Sequence, residues 1–216
     1  AGITVNKIAS DTNASVAGGT YDVKGLQVNS SSAESITAIG VGVSAAEMAG
    51  LAGNMAINRI GNDTSASLDD ATVTAVQDIG VVSTSSDTIK NYAGTLGAGG
   101  KLGAGMSVSY NELTGSTTSS VARATLNAVG NGDGISLPVL AQDTGTEQDK
   151  KHGIVVAAEA AHDLDSKAVT AGIAASGDMA IASGTTVTVN KLKGETKASV
   201  TASSLRLLST APPCLR

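Results

Sequence analysis

Catalysis needs titratable or nucleophilic side chains at short spacing, and this chain offers few. His152 and His162 are its only histidines. Glu159, Asp163 and Asp165 lie near His162 in sequence, a grouping with the residue types of a general base or a metal site. The close acidic pairs outside the charged segment 143–153 are Asp69–Asp70 and Asp163/Asp165. Paired carboxylates are what a glycoside hydrolase uses, yet neither pair has an obvious basic or aromatic platform for a sugar. GAGGKLGAG, residues 97–105, fails as a phosphate loop because Leu102, not Ser or Thr, follows Lys101; glycine for tight strand packing accounts for it better. GNGDG, residues 130–134, offers oxygens to calcium but lacks the nonapeptide calcium repeat, and reads as a turn. With no Gly-x-Ser-x-Gly elbow either, the expectation is a protein with no catalytic residues, no metal site and no cofactor.

Composition shapes what can hold these residues. The chain has 216 residues, no Trp, no Phe and three Tyr, at positions 21, 92 and 110. Compact cores draw much of their buried area from aromatics. An interior of Ala, Val, Ile and Leu with 26 Gly suits a thin fold instead. A net charge of −5 with four scattered or terminal Arg argues against a nucleic-acid partner. The single Cys214 excludes an internal disulfide framework, and no apolar run reaches the roughly 18 residues of a membrane-spanning helix. The chain opens at Ala1 with no Met and no basic-then-apolar leader, the look of an excised or processed piece.

The strongest signal is internal repetition. TVNKIASDTNASV (residues 4–16) returns as TVNKLKGETKASV (188–200), with relatives MAINRIGNDTSASL (55–68) and MSVSYNELTGSTTSSV (106–121). Aligned on Asn6, Asn58, Asn111 and Asn190, all four obey N-x-[IL]-x3-T-x-[AS]-S-[VL] without gaps. The equivalent apolar residues are Ile8, Ile60, Leu113 and Leu192, and the equivalent threonines Thr12, Thr64, Thr117 and Thr196. A second stretch follows each motif: 20–36, 72–89 and, in the third repeat, 125–143. The Asn spacings of 52, 53 and 79 indicate a solenoid, propeller or array.

Apolar residues fall two apart at Ile3/Val5, Met55/Ile57, Met106/Val108 and Val187/Val189, the period of a strand, although the alternation slips between Val5 and Ile8. Gly-, Asn- and Ser-rich gaps read as turns. Propeller blades usually carry aromatic signatures, so the reading is all-β: a parallel β-solenoid of roughly 50-residue repeats, with equivalent residues stacked and the four Ile/Leu inward. The spacings suit a rung of about 20–26 residues, or a two-rung repeat carrying one insertion. Residues 155–169 and 44–56 are Ala-rich and compatible with either short helix or strand.

These Gly/Ala-rich strands leading into AINRI- or TVNKI-type motifs, then T-x-[AS]-S-[VL], resemble the passenger regions of bacterial filamentous adhesins. The likeness is to the leukotoxin-like filamentous adhesins of anaerobic Gram-negative bacteria and, more distantly, to filamentous haemagglutinins and autotransporter passengers. It spans about residues 3–205. It implies a right-handed parallel β-helix, secretion to the cell surface, and attachment to host cells, matrix or other bacteria. The expected domain is a solenoid over residues 1–204, continued end to end by more repeats, with an atypical tail over 205–216. The expected function is a structural or adhesive segment of a surface filament; the alternatives are a β-helix polysaccharide lyase or hydrolase, and an ice-binding solenoid using the Thr rank. The segment Asp143–Gly153 interrupts the repeat and concentrates charge. Asp143, Glu147, Asp149, Lys150 and Lys151 form the candidate partner-binding loop, since solenoids tolerate insertions at turns and loops carry recognition.

Overall fold

The computed structural model describes residues 1–137, 150–176 and 179–208. Among them every regular element is a strand: β1 (Gly2–Ala17), β2 (Thr20–Val23), β3 (Leu26–Ala46), β4 (Ala49–Asp69), β5 (Thr72–Ala75), β6 (Ile79–Gly99), β7 (Leu102–Ala122), β8 (Thr125–Ala128), β9 (Ile154–Ala174), β10 (Ile181–Thr201) and β11 (Ser204–Leu207). They stack as three sheets in the orders β1-β4-β7-β10, β2-β5-β8-β11 and β3-β6-β9, every pairing parallel. The fold is a parallel β-solenoid, as the repeats predict.

The rung is longer than the spacing suggested. Asn6 pairs directly with Asn58, Asn58 with Asn111, and Asn111 with Asn190, so one repeat is one rung and the expected 20–26-residue rung is incorrect. A full rung holds two strands of 21 residues and one of four. Strands usually run about five or six residues; these continue because a turn is unnecessary while neighbours above and below keep every backbone N–H and C=O paired. The third Asn spacing is longer because 25 residues separate β8 from β9 where three separate β5 from β6, and six separate β9 from β10 where two separate β6 from β7. The counterpart of Ile89 in the third repeat is therefore Leu164, not a residue of 125–143. Both Ala-rich segments are strand: 155–169 lies in β9, and 44–56 turns from β3 into β4. The solenoid also passes the expected boundary at 204, since Leu205 pairs with Leu126 in β11.

The cross-section is a flattened wedge. The two sheets of long strands lie face to face and run oppositely: Ser83 of β6 meets Ser119 of β7, and Asn91 meets Ser109. At the thick end the short strands close the section around Leu68, Val73, Ile79, Val81, Val121 and Leu126. A second apolar knot, Ile36, Ile60, Ile89 and Leu113, fills the middle, with Ile8 and Leu164 packed against it. At the thin end only Gly and small residues fit between the sheets. A Cβ on Gly97 would stand 1.9 Å from the Ala104 carbonyl oxygen, and one on Gly103 1.8 Å from that of Ile173. The glycines of 97–105 serve close packing, as read from sequence.

The corner before the short strands explains one acidic pair. Gly18, Asp70, Arg123 and Ala202 occupy the same turn position, all with left-handed φ of 69°, 52°, 50° and 49°. Asp70 is thus a bend residue, and its neighbour Asp69 is held by Arg123 one rung on.

Candidate functional site

Three constellations stand out, and the register builds each. The first is the asparagine column. Asn6, Asn58, Asn111 and Asn190 point inward at one register position, and each Nδ2 donates to the Oδ1 of the next rung's Asn at 2.8, 2.9 and 2.9 Å. Asn58 and Asn111 are fully buried. A buried amide demands partners, and here the same residue in the adjacent rungs supplies them.

The second is a buried acid–amide–imidazole cluster. Glu34, Asp87 and His162 share one inward position on successive strands of the β3-β6-β9 sheet. Asn62 reaches them from the facing sheet, donating to Glu34 Oε2 at 2.7 Å and Asp87 Oδ1 at 2.9 Å. Ser85 donates to Asp87 Oδ2 at 3.0 Å, and His162 Nδ1 lies 3.2 Å from that oxygen. Burial and the adjacent Asp87 hold the Glu34 carboxyl above its usual range. Burial pushes Asp87 up as well, but hydrogen bonds with His162, Glu34, Asn62 and Ser85 outweigh it and leave Asp87 below the usual range. The Asp87 side chain is fully enclosed, and that of His162 is 13% exposed.

This arrangement corrects the sequence grouping around His162. Glu159, Asp163 and Asp165 stand at the alternate positions of β9, on its outer face and away from the imidazole; Glu159 is buried there, and Asp165 pairs with Lys167 at 3.0 Å. The true partner, Asp87, lies 75 residues away in sequence. The Thr rank also faces inward, with Thr64 and Thr117 buried, so it presents no flat array to water.

The third is the insertion between β8 and β9. Ile135 and Lys151 form an antiparallel bridge with N–H···O contacts of 2.7 and 2.9 Å, closing the base of the loop. Buried Asp78 clamps it: Oδ1 accepts the Gly153 N–H at 2.6 Å and Oδ2 the Gly134 N–H at 3.1 Å. Gly130, Gly134 and Gly153 carry φ of 77°, 86° and 90°, so GNGDG is a turn that Asp78 holds. Ile135 and Leu137 cover Val82 on the outer face of the β3-β6-β9 sheet. A cavity of about 420 Å³ opens beside them, lined by Gln27, Asn29, Gly80, Ile135, Ser136 and Lys150. Of the candidate loop residues, Lys150 and Lys151 are exposed; Asp143, Glu147 and Asp149 lie outside the described residues, as does Cys214.

The outer faces were not legible as a surface in the sequence. Ile3, Met55, Val108 and Val187 form one outward row across the β1-β4-β7-β10 sheet, and Val5, Ile57, Tyr110 and Val189 the next. Beyond them Lys7, Arg59, Glu112 and Lys191 form a charged row, in which Glu112 bridges Arg59 at 2.8 Å and Lys191 at 2.5 Å. The opposite sheet shows Ile39, Val41, Val43 and Val169 to solvent. Among the described residues no helix is long and apolar enough to cross a membrane. Protein-family models, curated proteins and solved structures yield no match to this chain.

Proposed function

We propose that the chain is a structural and adhesive segment of a secreted bacterial surface filament. The observation that carries this reading is the unbroken register of 21-residue strands from rung to rung. Each rung is packed by its neighbours, so a rod of this kind lengthens without a larger core. Its work is mechanical: a continuous backbone ladder along the axis and interior columns of like residues resist bending and shear. The base of the insertion, held by Asp78, displays Lys150 and Lys151, and we assign to it contact with a host-cell, matrix or bacterial receptor.

We read the chain as non-catalytic. The acidic pairs that an enzyme of this shape would need are otherwise engaged: Asp69 by Arg123, Asp70 in its bend, Asp165 by Lys167. The test is attachment. Beads coated with the purified chain should adhere to epithelial cells or matrix-coated surfaces above albumin-coated beads, and replacing residues 143–153 by a short Gly-Ser turn should weaken that adhesion. Background attachment by the intact chain would refute the adhesive role.

A further inference from the structure

The outer face of the β1-β4-β7-β10 sheet carries a pattern in its two middle strands that stacking alone does not require. From the thin end, the outward residues of β4 run Ala49, Leu51, Gly53, Met55, Ile57, Arg59. Their neighbours on β7 are Leu102, Ala104, Met106, Val108, Tyr110 and Glu112. At the first three places large and small residues alternate out of phase: Leu102 stands beside Ala49, Leu51 beside Ala104, Met106 beside Gly53. Leu51 is 62% exposed and Met106 53%, while a Cβ on Gly53 would meet only the Ala1 side chain, at 3.8 Å. The face therefore has knobs and hollows of matching size, and a pair of opposite charges beside them.

A two-fold axis parallel to the strands, midway between β4 and β7, brings these features together. It lays β4 of one copy over β7 of another, with each outward row on the same row. Leu51 then meets the second copy's Ala104, and Met106 enters the hollow at the second copy's Gly53. Arg59 meets the second copy's Glu112, and with the Arg59–Glu112 bridge inside each chain this closes a ring of four alternating charges. Lys7 meets the second copy's Lys191 only at rungs one and four, where long side chains can turn to water. The area is adequate. Each rung shows on the order of 200 Å² of apolar surface here, so two rungs reach the size that marks an interaction site. Four rungs approach the roughly 800 Å² per partner of a stable interface. A bilayer suits the face less well, because Asp11, Asp63 and Glu195 lie two outward rows beyond Arg59 on the same sheet and the chain carries a net charge of −5.

We propose that this face is a self-association surface whose occupant is a second copy of the chain, the two solenoids lying side by side and running in opposite directions. The match repeats with the rungs and does not depend on the adhesive reading. Shape complementarity at Leu51 and Met106 supplies affinity, and the Arg59–Glu112 ring fixes register.

The experiment is sedimentation equilibrium on the whole chain, with circular dichroism confirming that each variant folds. A monomer–dimer equilibrium in the micromolar range is expected. Met106→Asp should weaken it at least about thirtyfold. Gly53→Val, which fills the hollow, should weaken it about tenfold. Val41→Asp, on the opposite sheet, should leave it unchanged. Arg59→Glu and Glu112→Arg should each dimerise poorly alone, yet associate when mixed, because every cross-copy pair is then opposite in charge. A chain that stays monomeric up to about 0.1 mM, a Val41→Asp effect equal to that of Met106→Asp, failure of the mixture to associate, or capture by phosphatidylglycerol vesicles of the monomer alone would each overturn the proposal.

Discussion

The thick and thin ends of the wedge are built by the same strands under opposite rules. Along β4, Leu68 and Ala66 point inward at the thick end and bury apolar surface in the ordinary way. Toward the thin end the inward residues shrink to Ala52 and Gly50, and the large apolar residues of the strand, Leu51 and Met55, face out. Side-chain volume, not hydrophobicity alone, decides which face a residue can take. Where two backbones approach until a Cβ would strike a carbonyl oxygen, only Gly and a few small residues can stand between them, and stability there comes from dispersion and backbone pairing.

Substitutions can break this contrast, beginning with the largest effect. Gly103→Val would place its Cβ 1.8 Å from the Ile173 carbonyl oxygen. The sheets must part, at a cost of more than about 3 kcal/mol, and circular dichroism should report a chain that fails to fold. Gly53 is the control: its Cβ would meet only the Ala1 side chain at 3.8 Å, so Gly53→Val should fold normally.

Leu113→Ala, in the middle of the wedge, should destabilise by about 2–5 kcal/mol in urea unfolding. The equivalent Leu192→Ala should cost about 1 kcal/mol or less, because that residue stands at the open end. Equal effects would mean that rung four is covered in solution.

These contrasts also show why part of the fold was legible and part was not. The four-copy motif named the stacked residues correctly, because in-register columns require like residues. Ile8, Ile60 and Leu113 are inward, and Leu192 holds the same register but lies open. The rung length was hidden, because a 21-residue strand has no internal punctuation and its one slip in alternation looks like a break. That slip, from Val5 to Ile8, marks where the apolar residues cross from the outer to the inner face. The cluster of Glu34, Asp87 and His162 was missed because its members are chemically different. Counting two residues back from Ile36, Ile89 and Leu164 would have found it, once β9 was aligned correctly. The insertion was recognisable by its charge, but its clamp was not, since Asp78 lies in another rung.

A smaller effect tests the polar middle. Asn58→Ala removes the acceptor of Asn6 and the donor to Asn111, and should cost about 1–3 kcal/mol in urea unfolding; a neutral result would mean that water replaces the amide.

The smallest effect is one of pH. Glu34, raised in the folded state, contributes stability that is full below its ordinary value of 4.5 and is lost as pH rises through its folded value. Asp87, lowered, contributes stability present above 3.8 and lost as pH falls through its folded value. Glu34→Gln should therefore flatten the decline on the alkaline side and leave the acid-side loss, as read from thermal midpoints between about pH 4 and 8. An unchanged alkaline slope would assign it to another group.

The asparagine column gives the rod an electrical direction. All three of its hydrogen bonds run the same way, from the amide N–H of one rung to the carbonyl oxygen of the next, from Asn6 toward Asn190. Amide dipoles aligned head to tail add and polarise one another, whereas β-sheet backbones contribute only small net dipoles. The end at Asn190 is thus the positive pole and the end at Asn6 the negative one, and every rung added in register lengthens the dipole. Two such rods side by side attract when antiparallel and repel when parallel, so the column carries a preference for how such rods would lie against one another.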